Sequence, residues 1–326
     1  MSNIAGRSGQ QAAILGSGTM GGQIALSLAL GGLKVSLWGR RATSLIEVQQ
    51  RIETDLAYMI EVGLVSANPE EILDRIKTTE DLMEAVTNAT FVLEAIVEDL
   101  SQKQQLLAQV EKHVSDTTIL SSTTSALSAT ALQSALKHPE RFAIAHYAQP
   151  GHLVRLVEVV PGKQTSEETT QFVIDLLQQC GKSPVPCPDI PGFLWARIQH
   201  AILREFVSLV GQGLVTPEVC DTVLKEGYAV RLPAMGCFEH ADLAGLDLID
   251  SEAARAVWAD LSNVTSPADT MIGELKQSGQ LGMRSGQGFY DWTVRDSEAF
   301  KRNRDEEIVR RMLIQAGGEV HPPQQN

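Results

Sequence analysis

His146 and Glu158 stand twelve positions apart in HYAQPGHLVRLVEVV. A histidine titrates near neutral pH, so an imidazole can take a hydroxyl proton while hydride leaves the same carbon, and return it in the reverse direction. A carboxylate behind the ring would fix its tautomer and stabilise the imidazolium. Spacing alone also allows a structural histidine and an unrelated strand glutamate. His146 closes RFAIAHY, which reads as a strand. Glu158 lies in VRLVEVV, on a face set by alternation with Leu156 and Val160. His146 and His152 have no third ligand beside them in the sequence, and hydride transfer requires none, so no metal is expected.

A hydride needs an acceptor, and the N-terminal region is built for a dinucleotide. Gly16, Gly18 and Gly21 form GxGxxG between the apolar run AAIL and a helical stretch opened by Thr19 and Met20. The first glycine allows the tight turn, the second lets backbone approach a pyrophosphate, and the third packs helix on strand. Free amides at the helix N-terminus then face the phosphates. The next strand, KVSLW, ends on Gly39, Arg40 and Arg41. An acid at position 39 would accept bonds from both ribose hydroxyls of NAD. Opposite the extra phosphate of NADP it would be repelled by about 4 kcal/mol at 4 Å and an effective dielectric near 20. Glycine removes that repulsion and leaves room, and an adjacent arginine offers charge-assisted bonds to phosphate. The expected cofactor is therefore NADP, with NAD possible. The two arginines could alternatively be solvated residues at a helix start.

These residues need a scaffold, and 326 residues, 43% of them hydrophobic, suffice for two domains. The net charge of −13 without a basic run argues against a nucleic-acid partner. MSNIAGRSGQQA lacks the apolar core of a signal peptide, and the run after the glycine turn is broken by Gly31, Gly32 and Lys34, which argues against a membrane. Four cysteines without a CxxC pair fit reduced thiols in a cytoplasmic protein. Strands and helices alternate to about residue 190. Two helical stretches are expected over 42–63 and 69–86, and an edge strand in SPVPCPD. Past Pro191 the pattern is helical: one helix over GFLWARIQHAILREFVSLVGQG, then starts capped by Thr216 and Ser266, each followed by proline. The fold class is α/β, a doubly wound dinucleotide-binding domain over 1–190 and an all-helical domain over 191–326, with a frayed HPPQQN end.

ILGSGTMG, VLEAIVEDLSQKQQL, SSTTSAL, RFAIAHYAQPGHLVRLVEVVPG, DIPGFLWAR, LPAMGCFEHADLAGLD and GMRSGQGFYDW together resemble the L-3-hydroxyacyl-CoA dehydrogenase family, which includes carnitine dehydrogenases, L-gulonate 3-dehydrogenase and lambda-crystallin. The resemblance covers most of the chain. It implies a Rossmann domain, His146 as base and acid, Glu158 as its partner, and Ser125 beside the substrate hydroxyl. It places Ala95, Glu98, Lys103 and Thr123 in the cofactor site, and it implies a homodimer through the helical domain.

Several positions depart from the family pattern. Gly39 replaces an acid, Ala196 an Asn that meets the substrate, Gln149 the Asn of HFFNP, and Thr123 the Asn of SNTS; Trp195 and His152 are extra bulk expected near the site. An unmade hydrogen bond at Ala196 is worth roughly 1–3 kcal/mol. The changes point to an altered substrate, with Ser125, Gln149, Trp195 and Ala196 as the residues around it. LIEVQQRIETDLAYMIEVG carries one arginine and four acids, a poor match for the phosphates of coenzyme A. The expected activity is interconversion of a 3-hydroxy and a 3-oxo group on a carboxylic acid or acyl thioester. Ordinary short-chain hydroxyacyl-CoA oxidation, reduction of another carbonyl or imine, and crystallin-like NADP binding without turnover stand as alternatives.

Overall fold

The computed structural model describes residues 10–315; the HPPQQN end and the first nine residues lie outside them. The chain folds as two compact units, one running to Arg197 and taken up again from Arg302, the other Ile198–Lys301. The division differs from the expected one at the C-terminal end, where residues from Arg302 on go with the first unit.

In the first unit β1 (Gln11–Leu15), α1 (Thr19–Leu30) and β2 (Lys34–Trp38) form the expected βαβ start. α2 (Ala42–Glu61) follows. The second expected helix is instead α3 (Pro69–Leu73), β3 (Ile76–Thr79) and α4 (Leu82–Val86). Two caps account for the break. Asn68 accepts from Glu70 N–H, Asp81 accepts from Met83 and Glu84 N–H, and β-branched IKTT between them pairs with β2. Then come β4 (Phe91–Glu94), α5 (Leu100–Glu111), β5 (Ile119–Ser122), α6 (Ala129–Gln133), β6 (Phe142–Tyr147), β7 (Leu156–Pro161), α7 (Glu167–Gln179) and β8 (Ser183–Pro186).

The sheet order is β3-β2-β1-β4-β5-β6-β7-β8. β1 to β6 are mutually parallel, and β7 and β8 run the other way. Chain order reverses between β1 and β4, so the crevice beyond their carboxyl ends is the switch point where this sheet type takes a ligand. Near-continuous apolar strands reflect burial on both faces. Ile14, Leu28, Leu37, Phe91 and Leu93 pack on one side with α1, α2 and α7, while Leu15, Val92, Leu107, Phe142 and Ile144 pack on the other.

The expected long helix begins later, as α8 (Trp195–Gly211), whose first residues belong to the first unit and the rest to the second, because Gly192 and Phe193 before it hold positive φ. α9 (Pro217–Thr222) starts on its Thr216 cap as expected and continues through a wide π turn, Val223–Tyr228, into α10 (Ala229–Arg231). α11 (Cys237–Ala244), α12 (Leu246–Ile249) and α13 (Glu252–Asp260) follow. Ser266 caps only a short 3-10 turn, and Thr270 caps α14 (Met271–Gln277). α15 (Ser297–Gln315) ends the described chain; its later part sets Val309 into the first unit's core beside Ile308, Met312 and Leu313. Among the described residues no helix is long and apolar enough to cross a membrane.

Candidate active site

β6 and β7 are antiparallel, with His146 directly opposite Glu158. Opposed residues in such a pair have Cβ atoms about 4.5–5.5 Å apart on one face. The intervening loop consumes the sequence distance, and the register sets the dyad. His146 Nδ1 lies 2.8 Å from Glu158 Oε2, and both side chains are buried. The other oxygen, Oε1, accepts from Leu194 N–H and Trp195 N–H at 2.8 Å each and touches Cys187 Sγ at 3.5 Å. Burial would raise the Glu158 carboxyl, but the bond to His146 and the two amides outweigh it and hold the group below its ordinary range. An ionised carboxylate only accepts, so Nδ1 carries the imidazole proton and Nε2 presents its lone pair. Ser125 Oγ stands 3.1 Å from Nε2.

Gly192 and Phe193, at φ +75 and +47, turn the chain so that the first amides of α8 point at Glu158. The Phe193 ring, fully buried, lies 5.6 Å from the imidazole. Phe193, Leu194 and Cys187 carry no chemical signature in the sequence; the PGF turn signal preceding a helix is their only trace.

A second buried network lies at the carboxyl end of β4. Glu94, an acid in an apolar strand, accepts from Lys103 Nζ at 2.7 Å, Ser122 Oγ at 2.7 Å and Ile96 N–H at 2.6 Å. Lys103 is 1% exposed and also donates to Ile96 O, with Glu98 Oε2 at 3.4 Å. Its ammonium is thus engaged from within. Glu98 Oε1 accepts from Thr124 Oγ1, Ser125 N–H and Ala126 N–H, so it organises the turn that carries Ser125. Thr123 N–H donates to Glu94 O, and its hydroxyl accepts from Tyr147 N–H.

The glycine turn fits a dinucleotide. Gly16 has φ +139, and a Cβ there would lie 2.5 Å from Ala95 O, which sets loop against loop at the switch point. A Cβ on Gly21 would fall 1.8 Å from Gly16 O, whereas one on Gly18 would meet nothing within 4 Å. Gly18 is the N-cap of α1, with no side chain bonded to the first-turn amides and no acid there. Thr19 and Met20 open this helix as expected. The amides are therefore available to a phosphate.

Gly39 does not open the room expected beside it. The space beside it is filled: a Cβ would lie 2.6 Å from Ser17 Oγ and 2.8 Å from Leu45 Cδ2. Ser17 bonds Ser44 at 3.0 Å and accepts Arg51 on its carbonyl at 3.2 Å. A side chain at this position would have to displace Ser17 or Leu45. Arg40 and Arg41 are exposed, and no side-chain bond or ion pair is made by either among the described residues.

The expected substrate residues separate. Ser125 joins the dyad. Gln149 is exposed after β6, Trp195 is 43% exposed while its amide serves Glu158, and Ala196 is half-buried beside Gly192. His152 does not line the site; it is buried with Nδ1 3.9 Å from Asp55 of α2. Among the described residues no group of three or more His, Cys, Asp or Glu side chains could hold a metal.

Residues 11–190 match the model of the 3-hydroxyacyl-CoA dehydrogenase NAD binding domain, and residues 192–292 match that of the C-terminal domain. The chain belongs to the 3-hydroxyacyl-CoA dehydrogenase family. Within the family it is 36% identical over 281 residues to a probable 3-hydroxybutyryl-CoA dehydrogenase of Deinococcus radiodurans, covering 86% of this chain and 99% of the relative. It is 32% identical over 310 residues to the 5-formyl-3-hydroxy-2-methylpyridine 4-carboxylate 5-dehydrogenase of Mesorhizobium japonicum, covering 92% of this chain and 97% of the relative. A solved structure of an enzyme of that activity, described as an NAD+ dependent dismutase, superposes with a TM-score of 0.88 at 29% identity over 95% of this chain and 99% of the other. This family member is accordingly a dehydrogenase acting on CH–OH groups with a nicotinamide dinucleotide.

Proposed function

We propose that this dehydrogenase interconverts a hydroxyl and a carbonyl on a small carboxylic acid, the 3-hydroxy and 3-oxo forms in the first instance, and that it prefers NADP(H). The observation that carries the reading is the line Ser125–His146–Glu158, with both ends of the imidazole assigned. When bound, the nicotinamide supplies or receives the hydride. His146 Nε2 takes the substrate hydroxyl proton on oxidation and returns it on reduction. Glu158 holds the ring in the Nδ1–H tautomer and offsets the charge of the imidazolium. Ser125 Oγ, within bonding reach of Nε2, steadies the substrate oxygen there. Glu98 and Lys103 act beneath the cofactor crevice by fixing the Ser125 turn and the Ala95 loop.

Two observations support a substrate without coenzyme A. α2 carries four acids, and its single arginine donates to Ser17 O. The Mesorhizobium relative, matched over nearly its whole length, is named for a pyridine carboxylate. That name also favours a second reading, an aldehyde as the carbonyl. Arg40 and Arg41, unpaired at the end of β2, support NADP over NAD.

A homodimer through the helical unit is part of the proposal. Among the described residues of Ile198–Lys301, Val207 and Cys220 are the buried side chains of the apolar class, while Phe238 is 90% and Trp258 73% exposed. A lone unit of this kind leaves more apolar surface in water than monomers ordinarily carry. Sedimentation at micromolar concentration should give twice the chain mass.

Reduction rates with NADPH and NADH against acetoacetyl-CoA, free 3-oxo acids and an aromatic formyl acid test the reading. The free acids should turn over faster, and NADPH should bind more tightly. A kcat/KM for acetoacetyl-CoA above every free acid would return the chain to ordinary hydroxyacyl-CoA oxidation. Zero turnover on every substrate would favour a binding protein.

A further inference from the structure

The helical unit holds a cavity of about 130 Å³ between the end of the π turn and the start of α11, lined by Tyr228, Arg231, Leu232, Met235, Cys237 and His240. The pocket is open to solvent, with Tyr228 38% and Leu232 43% exposed, and its volume is of the order of one small ring. Leu232 and Met235 give it apolar wall. The polar groups form two pairs. Arg231 Nη1 donates to His240 Nε2 at 3.1 Å, and Tyr228 Oη lies 2.9 Å from Cys237 Sγ. The guanidinium has only N–H groups to offer, so it is the donor in this contact.

Arg231 therefore stands as a cation without a carboxylate partner among the described residues, in a protein of net charge −13. Glu239, on the same stretch as Cys237 and His240, turns back to accept Gly236 N–H at 2.6 Å, and Glu226 makes no ion pair with Arg231. Tyr228 closes the π turn over Val223–Tyr228 and Arg231 closes α10 directly after it, and both line the pocket. Such turns are rare, and they occur often at functional sites. A guanidinium with free N–H groups, a phenol and a patch of apolar wall match a planar carboxylate on a small ring.

We propose that this cavity binds the carboxylate of a small ring acid, with Arg231 as the anchor and Tyr228 and His240 as its polar companions. The substrate's own acid group and a separate carboxylate ligand share this chemistry; assigning it to the substrate rests on the small-acid reading above, whereas binding itself does not.

Cys237 supplies a readout independent of turnover. It is exposed, while Cys187 and Cys220 are buried and Cys180 is half-buried. Alkylation of the intact protein by iodoacetamide, followed at Cys237 by peptide mass, should slow about tenfold with benzoate at ten times its Kd. Benzamide, the neutral isostere, should protect several-fold less. Arg231→Met should abolish protection, and Arg231→Lys, which keeps the charge, should retain part of it. Equal protection by benzamide, undiminished protection in both variants, or no protection overturns the proposal. Under turnover, competitive inhibition by benzoate assigns the pocket to the substrate. Unchanged KM and kcat with Cys237 still protected assign it to a separate ligand. Either pattern upholds carboxylate binding.

Discussion

The two ends of the dinucleotide crevice are built on opposite terms. At the proposed catalytic end every polar atom of the His146–Glu158 pair is engaged internally: Glu158 has four partners, His146 has two, and both are buried. At the ribose end Ser17 and Ser44 hold the packing, and Arg40 and Arg41 reach into solvent unpaired. A proton-transfer group gains from being held in one geometry before substrate arrives. A phosphate anchor gains from remaining uncommitted until its anion comes. The difference separates residues whose loss should stop chemistry from residues whose loss should change only what binds.

His146→Ala should break the catalytic end most severely, lowering kcat by roughly 10²–10⁴-fold while leaving cofactor Kd near wild type in a fluorescence titration. Glu158→Gln should follow, with kcat down about 10²-fold, because the amide neither fixes the same tautomer nor offsets the imidazolium. A rate within twofold of wild type for either variant would move the chemistry elsewhere. At the ribose end, joint Arg40→Glu and Arg41→Glu should weaken NADPH binding by about tenfold or more, the equivalent of one lost charge-assisted bond, and barely alter NADH. Equal weakening of both dinucleotides would mark the arginines as general surface charge.

The smallest effect expected is on stability. Burial, with Lys182 and Arg304 nearby, lowers His152 from 6.5 to about 4. Burial and Asp305 raise Asp55 from 3.8 to about 6, against Arg51. As pH falls from 6.5 toward 4 the unfolded chain binds a proton at His152 before the folded one does, so that residue costs stability. Between pH 6 and 3.8 the folded chain binds first at Asp55, so that residue adds stability as pH falls. The two oppose each other. Asp55→Asn should therefore steepen the loss on acidification by roughly 1–2 kcal/mol, and His152→Gln should flatten it. Denaturant midpoints at pH 7 and pH 5 measure both.

The βαβ start, the switch-point glycines and the strand identities around His146 and Glu158 were legible because they depend on local periodicity and on backbone freedom at named glycines. The strand Ile76–Thr79 was missed because four residues carry too little pattern beside two short capped helices. His152 was misplaced because proximity in sequence does not predict which side of a sheet a loop side chain enters. The role of Gly39 was half legible: its lack of charge was visible, and Ser17 filling the adjoining space was not.

Residue type and short-range spacing by themselves determined the chemistry available here: an imidazole, a carboxylate, a glycine turn before a helix, and two free arginines. Tertiary structure decided how these meet. The antiparallel register of β6 on β7 puts His146 against Glu158, and the left-handed turn at Gly192 and Phe193 aims two amides at the same carboxylate. The reason is that register and loop closure answer to core packing over the whole sheet, and no window of sequence holds that information.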